Sequence, residues 1–129
     1  MFKIREEQME AFRIASVDHF EGRLAETLRI AFPNDFADVS DVLLSKLVQE
    51  GIRHALGRGF DREYDICRFV ELRHMLGSDF DQKSTFPWVI ETLADPSLEP
   101  GTKISVLVAQ AELELGERYP VWRQHVCPE

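Results

Sequence analysis

Residues 41–56 read DVLLSKLVQEGIRHAL, and their apolar positions share one stripe: Leu44, Leu47, Val48, Gly51, Ile52 and Ala55 recur at intervals of three and four. That is the period of an α-helix, not the two-residue alternation of a strand. Lys46, Gln49, Glu50 and Arg53 fall off the stripe, so this helix has one face to bury and one to hydrate. Ser40 suits the N-cap position, and Asp41 suits the positive end of the helix dipole. Gly51 inside the buried stripe predicts a close crossing with another helix, because no side chain holds the neighbour away there.

The same period continues on both sides. Upstream, Met9, Phe12, Ser16, Phe20, Leu24, Leu28 and Phe32 follow it from Glu6 to Phe32, with Ser16 the one polar break. Gly22 costs this stretch ~1 kcal/mol relative to Ala, so it reads as one long helix or as two that meet near Asp18. Pro33 stops it, and Asn34 to Val39 reads as a connector. Downstream, Gly57 and Gly59 bracket Arg58 in a turn, and Asp61 is the expected cap of a third helix from Arg62. Ile66, Phe69, Val70, Arg73 and Leu76 give that helix its period, and Gly77 ends it. Ser78 to Lys83 is a polar loop with a single aromatic, Phe80. Thr85 and Pro87 then open a short helix through Trp88, Ile90, Leu93 and Ala94.

Two prolines make Asp95 to Gly101 a loop. Thr102 is the expected cap of a last helix that buries Ile104, Leu107, Val108, Ala111 and Leu115 and ends between Gly116 and Tyr119. The expected fold is all-α, a compact bundle of five or six helices with no β-sheet. Residues 1–119 form the single domain and 120–129 a tail whose main anchor is Trp122.

Composition narrows the function. Fifteen Lys and Arg face 23 Asp and Glu in 129 residues, a net charge of −8, so no global positive field recruits phosphates and nucleic acid is not an expected partner. Charged residues interrupt every apolar run short of the roughly 18 residues that a membrane-spanning helix needs, so no membrane partner is expected. Lys3, Arg5, Glu6, Glu7 and Glu10 deny the N-terminus the apolar core of a secretion signal, and a cytoplasmic location follows. Cys67 and Cys127, far apart and in no CxxC pair, read as two free thiols, although their spacing leaves a disulfide open. Oligomeric state is open as well, since the stripe from Glu6 to Phe32 can bury itself within one chain or against a copy.

No catalytic constellation emerges. Cys67 falls mid-helix, away from the helix N-terminus that would lower its pKa. Asp18 and His19 have no nucleophile beside them, and Gly57-x-Gly59 lacks the preceding strand of a phosphate cradle. Asp79-x-Asp81 resembles the opening of a calcium loop, but Lys83, Ser84 and Ile90 occupy positions five, six and twelve of that loop. Glu71-x-x-His74 is half of the pattern used by carboxylate-bridged di-iron bundles, and no second Glu-x-x-His exists to complete it. A composite site of Glu50, His54, Glu71 and His74 between facing helices is the enzyme alternative. Against it, the Glu-Arg-His run reads as the polar face of a surface helix. No catalytic, cofactor or metal residue is therefore assigned.

The connection from Ser78 to Trp88 is the expected partner-binding corner, with Asp79, Phe80, Asp81, Phe86 and Trp88 as its acidic and aromatic residues; against it, rings in such places serve more often as core lids, and Asp79 or Asp81 as a cap of a helix end or turn. The series Gly51-Ile52-Arg53-His54-Ala55, Gly59-Phe60, Asp65 to Leu72, Met75 to Asp81, Pro87-Trp88 and Asp95 to Leu98 resembles small all-helical accessory proteins encoded beside type VI secretion effector and spike genes in Gram-negative bacteria. Ile4 to Met9 and Phe32-Pro33 extend the resemblance over most of the chain. The family has no defined catalytic motif to carry over. The resemblance implies a non-enzymatic co-chaperone or adaptor that binds a secreted effector, its chaperone or a spike component. An immunity protein that neutralises a cognate toxin is the nearest rival.

Overall fold

The computed structural model describes residues 18–83 and 86–115, which form six helices and no strand. They are α1 (Asp18–Ala31), α2 (Pro33–Phe36), α3 (Asp41–Gly57), α4 (Glu63–Leu76), α5 (Pro87–Ala94) and α6 (Pro100–Leu115). The all-α bundle read from the periodicity is the observed architecture, and no described helix is long and apolar enough to cross a membrane. The start of the first helix, the Thr85 cap, the end of the last helix and the Trp122 anchor lie outside the described residues.

Local chemistry sets most boundaries. Ser40 caps α3, its hydroxyl accepting a hydrogen bond from the Leu43 amide at 3.1 Å. Gly59 (φ +98°) and Gly77 (φ +114°) terminate α3 and α4 in the backbone region that side chains disfavour. Three expectations need correction. The Asn34–Val39 connector opens with the one-turn helix α2, because Pro33 is preorganised for a first helical position and Phe36 is buried there. Arg62, not Asp61, holds the N-cap position of α4, with no side-chain cap bond. Thr102 lies within α6, which begins at Pro100.

The core runs through all the helices. Phe20, Leu24 and Leu28 of α1, Leu44, Val48, Ile52 and Ala55 of α3, and Ile104, Leu107 and Ala111 of α6 are buried where the stripes place them. Leu47 is the exception, 38% exposed at the edge of the α3 stripe. At the centre lies α4, with α3, α6 and α1 packed against it. Every residue from Asp65 to Arg73 is buried, including Asp65, Arg68, Glu71 and Arg73. The surface-helix reading of this stretch is therefore corrected: α4 is enclosed rather than amphipathic. Cys67 is 1% exposed and disulfide-bonded, which corrects the reading of two free thiols. The other cysteine of the chain, Cys127, lies outside the described residues.

The close crossing expected at Gly51 is where α3 meets α4: a Cβ there would stand 2.9 Å from Val70 Cγ2. Val70 is β-branched and stiff at χ1, so it cannot swing aside cheaply. Gly51→Ala should therefore destabilise by about 1–2 kcal/mol despite the better helix propensity of Ala. At Gly22 an added Cβ meets nothing within 4 Å. Gly22→Ala should stabilise by up to ~1 kcal/mol, and paired denaturant midpoints of the two variants check both signs.

Candidate functional site

Gly77 turns the chain out of α4 and into the loop that carries the expected partner-binding residues. Phe80 points into the core, fully buried, its ring centroid 5.1 Å from that of Phe69, which in turn lies 5.5 Å from that of Phe60. Asp81 is buried as well; its carboxylate accepts from Arg58 Nε at 3.0 Å, and Arg58 Nη2 donates to the Asp81 carbonyl at 2.6 Å. The assignment of Phe80 and Asp81 to a partner surface is thus corrected: they anchor the loop. The physical reason is that a short polar loop has little apolar area of its own, and one ring plus one charge-assisted pair tie it to the bundle. Asp79 is exposed, and its carbonyl accepts from the Gln82 and Lys83 amides.

Across the loop, Phe86 holds the N-cap position of α5. Phe86 and Trp88 are partly buried against the core, with ring centroids 5.5 Å apart at 31°. The Trp88 indole nitrogen is buried and has no hydrogen-bond acceptor among the described residues. Asp79, Phe86 and Trp88 are what the structure leaves of the corner.

The composite metal set does not assemble. Glu50 pairs with Arg73 at 3.2 Å, Glu71 pairs with Arg68 at 2.9 Å, and His74 Nε2 meets Asp35 Oδ2 at 2.8 Å. The His74 ring also lies 4.6 Å from both Phe32 and Phe36, a clamp that fixes α2 to the end of α4. Among the described residues no three His, Cys, Asp or Glu side chains converge as a metal site.

Buried polarity concentrates on α4. Arg68 Nε donates to the Tyr64 hydroxyl at 3.3 Å and Nη1 to Glu71 Oε1 at 2.9 Å, while Glu71 Oε2 has no hydrogen-bond partner among the described residues. Burial pushes the Glu71 carboxyl above its ordinary range, outweighing the attraction of Arg68. Burial also lowers the Arg68 guanidinium, but Glu71 and Tyr64 more than compensate and hold it above its usual value. Asp65 is raised by burial too, against Arg62 at 3.5 Å. At the surface, Asp95 is lowered by the hydrogen bonds it accepts from the Ser97 hydroxyl and amide.

Sequence reasoning missed Arg58, Arg73 and Asp35, which organise these contacts across separations of 23, 23 and 39 residues. No local signal marks them, because each partner is supplied by another element. Comparison with known protein families, curated proteins and solved structures found no match for this chain.

Proposed function

We propose that this protein is a non-enzymatic, protein-binding accessory factor, a co-chaperone or adaptor for a type VI secretion effector, its chaperone or a spike component. The system is named by the sequence resemblance. The structural observation that supports a binding role is the Phe86–Trp88 pair, two large rings 5.5 Å apart that the core covers only in part. Large aromatic rings that are only partly covered by the core are the kind of residue that anchors a protein interface. Cytoplasmic placement belongs to the same proposal, and the Cys67 disulfide argues against it, because reducing compartments keep thiols apart.

Affinity purification at natural expression level, followed by mass spectrometry, tests the reading. Recovery of an effector with a chaperone or spike component supports it. A toxin domain alone would favour immunity, and a bait without any such component would sink both. Trp88→Ala should weaken partner capture by about tenfold while far-UV circular dichroism stays helical.

A further inference from the structure

Beside His74 and Arg73 the surface opens into a cleft of about 210 Å³. Its apolar walls come one from each of four helices: Leu28 of α1, Phe36 of α2, Leu47 of α3 and Val70 of α4. The remaining lining, Arg73, His74, Gly77 and Ser78, is the C-terminal end of α4 and the residues that follow. The cleft is therefore an apolar cavity with its polar groups supplied from a single place.

Arg73 is the unusual member. Its side chain is 9% exposed, and its only ion-pair partner among the described residues is Glu50, whose side chain is 51% exposed. Arg68, the other buried guanidinium of this helix, faces instead a Glu71 side chain that is 0% exposed. Arg73 spends Nε on the Ser78 carbonyl at 3.1 Å and Nη2 on Glu50 at 3.2 Å. Nη1 has no hydrogen-bond partner among the described residues. A largely desolvated guanidinium with a spare donor, set in an apolar cavity and countered by a solvated carboxylate, suits an anion whose body is apolar.

The geometry points to a binding site for a small amphipathic carboxylate, its apolar part among Leu28, Phe36, Leu47 and Val70 and its charge against Arg73. The volume holds about ten non-hydrogen atoms at interior packing density, the size of a medium-chain or aryl-alkyl acid. This site is separate from the Phe86–Trp88 corner and stands whether or not the accessory role holds.

Octanoate, with octanamide as its uncharged counterpart, is the probe. In methyl NMR titrations of the full chain, octanoate should shift Leu28, Leu47 and Val70 with a Kd below about 1 mM. Octanamide should bind about tenfold more weakly, as should octanoate to Arg73→Gln. Glu50→Gln removes the competing carboxylate and should tighten octanoate by about threefold while leaving octanamide unchanged. Leu47→Trp, at a partly exposed position, should fill the cleft and abolish binding. Should Arg73→Gln fail to fold, Glu50→Gln and Leu47→Trp still decide the matter. Absence of methyl shifts with octanoate, or equal binding of acid and amide, would overturn the proposal.

Discussion

Phe80→Ala should destabilise the protein by about 3–5 kcal/mol, read as a lower denaturant midpoint at unchanged m-value. The ring is fully buried and packs 5.1 Å from Phe69, itself in contact with Phe60. Truncation removes the apolar burial and leaves a cavity that the loop cannot fill from its polar residues. The loop is also held by Arg58 and Asp81, so the variant keeps one tether and should lose stability more than helicity. A loss below about 1 kcal/mol would show that the site collapses freely and that the ring is not the anchor. The consequence for function is direct: weakened partner binding in a Phe80 variant would report unfolding, so Phe86 and Trp88 are the positions that test the surface.

The second large effect lies at the centre of α4. Glu71→Leu strips Arg68 of the carboxylate 2.9 Å away in a site where the two side chains are 2% and 0% exposed. Removing one partner of a buried ion pair costs about 3–5 kcal/mol, because the remaining charge is left desolvated. Replacing both, Arg68→Met with Glu71→Leu, should recover most of that loss, since well-packed apolar side chains substitute for buried pairs at little cost. A double variant no more stable than Glu71→Leu would mean that Arg68 has a stabilising role beyond this pair. The pH dependence follows from the same burial. The folded state raises the Glu71 pKa above its ordinary 4.5, so between those two values the folded chain binds more protons than the unfolded chain. Stability from this group is complete below the ordinary value and is lost as pH rises through the folded one. Glu71→Gln removes that slope: the stability of the wild type relative to this variant should fall from acid pH toward neutrality. A constant difference across that window would contradict the shift.

Helix existence was readable from residue order because the signal is local. The stripe from Leu44 to Ala55, the Ser40 cap and the Gly77 stop each act within a turn or two of chain, and all three appear in the structure. Even the Gly51 crossing was legible, since a glycine in a buried stripe has few other uses. Misreadings came where a residue's environment is supplied from elsewhere in the chain. Phe80 in a polar loop reads as either a core lid or a partner anchor until Phe69 lies beneath it, and Asp81 reads as a turn residue until Arg58 reaches it from 23 residues away.

The polar pattern of α4 shows the same divide. Glu71, Arg73 and His74 read as the polar face of a surface helix, although Arg73 also falls on the period of Ile66, Phe69, Val70 and Leu76. Tertiary structure enclosed that helix with α1, α3 and α6, so its charges had to find partners or shift their pKa values rather than meet water. The amino-acid order thus determined on its own that this chain is an all-α bundle and where most of its helices stop, because helix period, capping and breaking act over a few residues. Only the tertiary structure decided which polar and aromatic side chains are interior and which remain for a partner or ligand, because burial is a property of what packs over a residue.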